Sequence, residues 1–271
     1  MFTSFVVVLS FISIIPVPQK ILPLWDSSSL RWFCVMLPAV GLVFGLLWFA
    51  VWKVLTLADV LSPVLRGFIM MMFTLALTGG LHMDGLMDTC DAVFSHRDRE
   101  TRLKILSDTH AGSFAVMGCV AVILAKTLLF SELLTLTPNP YPLPPYLPNP
   151  YSLIPIPVFS RLGMGFMLNS LPFAKNDGLA ATLGSARNEH DNVFFVLMII
   201  LLLPLGTVTP ALSFCLCLLF WRKMCLKLFG GITGDLLGAF VEVSEVIMLL
   251  GMVIESACYS WWQVSGQTCL R

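Results

Sequence analysis

Charge is what this 271-residue chain has least of. Only 12% of its residues are Asp, Glu, Lys or Arg, against 57% hydrophobic, and the mean hydropathy is +0.87. A soluble domain of this size carries a far more polar surface, so the composition implies an all-α, polytopic membrane protein. Surplus charge of either sign is also missing, with 16 basic and 16 acidic residues. That balance gives no basis for a nucleic-acid partner or for electrostatic attachment to a surface. Apolar–polar alternation is absent too: the apolar runs are continuous, which argues against an outer-membrane barrel. There is no Walker loop, no GxGxxG, no GxSxG and no HExxH. The eight cysteines form no CxxC pair and sit mostly in apolar runs (Cys34, Cys119, Cys215, Cys217, Cys258), as small packing residues do. The first residues lack a basic n-region, and no small-residue cleavage site precedes Pro16, so no cleaved signal peptide is expected.

What is present is a series of apolar segments. Phe2 to Ile15, stopped by Pro16 and Pro18, falls short of the roughly 20 residues a crossing needs and is expected as an interfacial or re-entrant helix. About seven transmembrane helices are expected after it. They are Trp32 to Leu57, Val64 to Leu81, Phe114 to Leu136, Val158 to Leu171, a hairpin over Val193 to Phe229 turning at Pro204 to Pro210, and Leu236 to Cys258. The uncharged, proline-rich stretch Thr137 to Pro157 reads as an extended non-cytoplasmic loop. Lys and Arg concentrate in 16–32, 84–113, 173–192 and 220–235. The positive-inside rule puts those segments in the cytoplasm and the C-terminus outside. The whole of 1–271 reads as one membrane-embedded catalytic domain.

Chemistry concentrates between Gly79 and Gly112, which hold Asp84, Asp88, Asp91 and Asp108, three histidines (His82, His96, His110), and Arg97, Arg99, Arg102 and Lys104. Asp84, Asp88 and Asp91 stand at i, i+4 and i+7, within about 60° of one another on a helix. Carboxylates so crowded at a membrane boundary repel one another and are costly to desolvate, and a divalent cation removes both penalties. Oxygen-only ligands favour Mg²⁺, with Mn²⁺ as a substitute. His82 projects to the side opposite the Asp face, unless the Gly79-Gly80 step breaks the helix before it. Catalytic work and ordinary packing both remain open for it.

A second constellation is Gly230-Gly-Ile-Thr-Gly-Asp235, followed by Glu242 and Glu245. Gly234 and its neighbours would expose N–H groups at a helix start, where phosphate binds readily. Asp235, Glu242 and Glu245 are expected to complete the metal set from a facing helix. Carboxylates two to three turns into an apolar helix mark function by default. Arg97, Arg99 and Arg102 supply forked donors for phosphate oxygens, with Asp108, Arg161 and Lys227 as further substrate-binding candidates. Together these residues imply metal-dependent handling of a diphosphate or phosphoryl group.

The run GGLHMDGLMDTCDAVFS with RDR after it closely resembles the cobalamin (5′-phosphate) synthase family, the adenosylcobinamide-GDP ribazoletransferases. The likeness extends to SFISIIPVP near the start, AK at 125–126, SR at 160–161 and GGITGDLLGAFVEVSE at 230–245. Ala92 stands where the family commonly has Gly, and Thr109-His110 where it commonly has Ser-Arg. The resemblance implies transfer of phosphoryl-cobinamide from adenosylcobinamide-GDP to α-ribazole or its 5′-phosphate, with release of GMP. It also implies Mg²⁺ dependence, a site facing the cytoplasm from the inner membrane, and a lipid bilayer as surroundings, and it leaves an oligomer open. Asp84, Asp88, Asp91 and Asp235 would then gather the metal, and a carboxylate or His82 would take the acceptor's proton. Two other readings are a phosphotransferase acting on CDP-activated alcohols, whose DGxxAR run is missing, and a cation transporter using Glu242 and Glu245.

Overall fold

The computed structural model describes residues 2–17, 32–58, 60–136, 150–175, 190–202 and 208–268. Ten α-helices run through the described residues. They are α1 (Phe2–Ile12), α2 (Phe33–Leu57), α3 (Pro63–Leu77), α4 (Leu81–Phe94), α5 (Arg99–Ile105), α6 (Ser113–Leu136), α7 (Pro155–Ser170), α8 (His190–Leu202), α9 (Val208–Met224) and α10 (Gly234–Thr268). A 3₁₀ turn, Pro150–Leu153, leads into α7, and a π-helical turn, Cys225–Phe229, extends α9. No strand forms among the described residues; one isolated parallel bridge joins Phe173 to Ile232. The all-α membrane architecture expected from composition is what the chain adopts.

Four stretches, Phe33–Leu57, Ser113–Thr135, Tyr151–Ser170 and Gly234–Tyr259, are long and apolar enough to cross a bilayer, and a fifth counts if α3 and α4 are taken as one bent span. The expected seven is not confirmed: α3 and α8 have 15 and 13 residues, roughly 20–23 Å at 1.5 Å per residue against the ~30 Å of hydrocarbon, whereas α9 continues through the π-helical turn from Val208 to Phe229. The short first helix is as expected: α1 has 11 residues and seats Val7, Val8 and Ile12 in the core. The proline-rich segment is shorter than the sequence suggests. Residues 137–149 lie outside the described set, but 150–157 are already helical. Pro155 opens α7 in its first turn, where no backbone N–H is needed. Basic segments at 18–31 and 176–189 and the hairpin connector at 203–207 also lie outside the described residues.

Small residues set how closely the helices approach, as in membrane bundles generally. A Cβ at Gly41 of α2 would stand 2.5 Å from the Pro157 carbonyl oxygen of α7, and Gly45 meets the Ile154 backbone one turn on. Aromatic contacts fill the space between other pairs. Trp48 meets Phe130 edge-on at 5.6 Å, and Phe214 lies between Phe159 and Phe240, tying α9 to α7 and α10.

The junction of α3 and α4 decides where the Asp-rich helix points. Gly79 and Gly80 take φ of +63° and +79°, left-handed values that cost glycine nothing, and α4 leaves at 92° to α3. Turned this way, α4 lies along the start of α10. A Cβ at Gly85 would be 2.8 Å from the Asp235 carbonyl oxygen, and one at Gly238 would be 3.2 Å from the His82 Cα. The Gly79-Gly80 step does break the helix just before His82.

Candidate active site

The two constellations meet at that crossing. Asp84 is exposed on α4, Asp88 is half-buried, and Asp235 sits in the first turn of α10. The charges of Asp235, Asp84, Asp91 and Asp108 all act on Asp88. Among the described residues no ion pair involves Asp84 or Asp88. Nor, among them, do three metal-ligating side chains converge into a closed cage. What the crossing offers is carboxylate oxygen alone, from Asp84, Asp88 and Asp235. Asp91 is set apart from the others. Its Oδ2 accepts from the Gly112 N–H at 2.6 Å and its Oδ1 from the Ala115 N–H at 2.9 Å, at the N-terminus of α6.

The loop before α10 is braced from two sides. The Ile232 N–H donates to the Pro172 carbonyl and the Ala174 N–H to the Ile232 carbonyl, both at 2.9 Å. Gly230, at φ +71°, carries the Arg99 guanidinium against its backbone, where any Cβ would overlap it. Arg99 of α5 thus lies on the glycine loop, as a shared phosphate site requires. Thr233 caps α10 by accepting from the Leu236 N–H at 3.3 Å, and Gly234 has open space beside it. Lys175 follows the braced segment directly. Its Nζ donates to the Ser107 hydroxyl, and its charge acts on Asp235. Sequence reading passed over Lys175, because nothing local distinguishes one lysine in a polar connector; the bridge that presents it is a long-range contact.

The remaining basic candidates divide. Arg97 is exposed and lines an open cleft of about 500 Å³ with Asp91, Asp108 and His110. Lys227 is exposed on the π-helical turn beside α5. Arg102 differs from the expectation of an open phosphate donor: it is buried, its Nε donates to the Arg97 carbonyl at 2.7 Å and its Nη1 has no partner, so it braces the loop from beneath. Asp108 is bound by His110 through the backbone N–H at 3.0 Å and Nδ1 at 2.7 Å. The hydrogen bond from His110 holds the Asp108 carboxyl below the usual carboxylate range.

Glu242, Glu245 and Arg161 are also corrected. Lys126 Nζ donates to Glu242 Oε2 at 2.6 Å and to Glu245 Oε2 at 2.7 Å. Arg161 Nη1 binds Glu245 Oε1, and Ser160 joins both. Two carboxylates and two cations, all buried, cancel within this network. Glu242 and Glu245 are therefore not available to a metal, Arg161 is not available to a phosphate, and no free intramembrane carboxylate remains here for a transported cation. His82 lies beside the network at 1% exposure, its Nε2 without a hydrogen-bond partner. It is enclosed and does not line the open cleft.

The comparisons bear on the same residues. The profile of the family described as cobalamin-5-phosphate synthase matches residues 4–253. An adenosylcobinamide-GDP ribazoletransferase of Halalkalibacterium halodurans is 34% identical over 88% of this chain and 90% of its own. One of Clostridium botulinum strain Alaska E43 is 30% identical over 95% and 98%, and one of Lachnoclostridium phytofermentans 32% over 93% and 96%. No solved structure matches the chain. The matched span takes in both halves of the site, from the Asp face of α4 to the glycine loop before α10, and the chain belongs to the cobalamin-5-phosphate synthase family.

Proposed function

We propose that this protein transfers the phosphoryl-cobinamide group of adenosylcobinamide-GDP to a ribose hydroxyl of α-ribazole or α-ribazole 5′-phosphate, releasing GMP. The ribose oxygen forms the new P–O bond, the bond to the bridging oxygen of GMP breaks, and the hydroxyl proton passes to a carboxylate. The exposed carboxylate of Asp84 supports a carboxylate of this cluster in that role. Asp84, Asp88 and Asp235 would hold a hydrated Mg²⁺, or Mn²⁺ in its place, which when bound neutralises diphosphate charge. Arg99 and Lys175 offset charge on the departing phosphate from the side of the glycine loop, with Arg97 and Lys227 at its edges. The open space beside Gly234 at the start of α10 leaves room for the diphosphate at that helix N-terminus. The lysines and arginines of this end support a site facing the cytoplasm from the inner membrane.

One observation carries the reading: unpaired Asp84 and Asp88 face Asp235 across the Gly85–Gly238 crossing, with a guanidinium and an ammonium beside them. The test is GMP release from adenosylcobinamide-GDP by purified protein, with each acceptor, with and without Mg²⁺. Asp88→Asn should cut turnover by at least about a hundredfold while the protein stays folded and membrane-inserted. Wild-type-like turnover in that variant would sink the carboxylate assignment.

A further inference from the structure

Asp91 belongs by spacing to the triplet of α4, yet its two oxygens are already engaged. Oδ2 takes the Gly112 N–H and Oδ1 the Ala115 N–H, at 2.6 and 2.9 Å. Those are donors at the start of the 24-residue α6, where backbone N–H groups have no partner within the helix. A carboxylate is the group that best satisfies a helix N-terminus, by hydrogen bonding and by the helix dipole together. The fit is close: a Cβ on Gly112 would lie 2.7 Å from Asp91 Oδ1 and 2.8 Å from Oδ2. Asp84 and Asp88 make no such bonds.

Between Asp91 and Gly112 the chain leaves α4, forms α5 and returns. This excursion carries Arg97 and Arg99, and Arg99 rests on Gly230 at the far side of the site. Its base is closed by the Asp91 carboxylate. We propose that Asp91 is not a metal ligand but a positioning residue, a latch from α4 to the N-terminus of α6 that holds the arginine-bearing excursion over the Asp84–Asp88–Asp235 cluster. The triplet then has two duties: Asp84 and Asp88 serve the cation and the substrate, and Asp91 sets the distance between that pair and the arginines.

The proposal rests on the reading of the function above, and its test separates the two. Opening the latch loosens the arginines and leaves the carboxylates in place. Asp91→Ala should therefore lower kcat/KM for adenosylcobinamide-GDP by about tenfold or more, with half-saturating Mg²⁺ within about twofold. Asp91→Asn, which still accepts one bond as an N-cap, should recover most of that loss. Gly112→Ala removes no carboxylate, yet by displacing Asp91 it should reproduce the kcat/KM effect of Asp91→Ala. Without any turnover, trypsin should cut after Arg97, Arg99 or Lys104 faster in Asp91→Ala and Gly112→Ala than in wild type, with helical content unchanged. If Asp91→Ala does not fold, Gly112→Ala and Asp91→Asn carry the test. A tenfold rise in the Mg²⁺ requirement of Asp91→Asn, or a kcat loss in it matching Asp88→Asn, would overturn the latch and return Asp91 to the metal. Absence of GMP release by wild type would instead remove the proposed function, and the protease comparison would still decide the latch.

Discussion

Two bonds from His110, one from its backbone and one from its ring, hold Asp108 at the mouth of the cleft. Because its carboxyl is held below the usual range, the contact contributes fully above the ordinary carboxylate pKa and is lost as pH falls through the depressed value. In His110→Ala the Asp108 titration should move upward toward the ordinary range, read by carboxyl NMR on selectively labelled protein. An unmoved midpoint would show that His110 does not hold it. At this scale the sequence was partly legible. The i, i+4, i+7 spacing gave the Asp face, and the same projection placed His82 opposite it, where the structure buries it. It could not show that Asp91 is spent on Gly112 and Ala115, because that depends on where the chain returns 21 and 24 residues later.

At the scale of elements, the site depends on two helices touching without side chains between them. Gly85 faces backbone atoms of Asp235, which have no rotamer by which to move aside. Gly85→Ala should therefore push α4 off α10 and cost about 1–3 kcal/mol, seen as a lower unfolding temperature in detergent together with lost GMP release. Full activity would mean that the crossing does not fix the carboxylate spacing. The break at Gly79-Gly80 was readable from the glycine pair, but its angle was not. Apolar composition marks what contacts hydrocarbon but not helix length, so the sequence alone does not separate a full crossing from a shorter helix such as α3.

Across the whole molecule, the buried ions are the feature that joins most helices. Lys126 on α6, Arg161 on α7 and the two glutamates of α10 form one neutral group. Sequence marked Glu242 and Glu245 for a metal and Arg161 for a substrate, and did not pair them with Lys126, since partners 116 and 84 residues apart show no local pattern. Lys126→Met leaves two carboxylates with a single cation and should cost roughly 3–5 kcal/mol, measured by unfolding in detergent. Adding Glu242→Gln should restore most of it; if the double variant is no more stable than the single, charge balance is not what the network provides.

That network also has a consequence for how the chain is made. Synthesis proceeds from the N-terminus, so Lys126 and Arg161 enter the membrane well before Glu242 and Glu245 exist. A lone cation near the middle of an apolar helix costs about 2.5–3.5 kcal/mol on insertion. Until α10 is made, Lys126 and Arg161 lack the two glutamates that neutralise them in the folded chain, so a chain stopped short of α10 carries two cations without these countercharges.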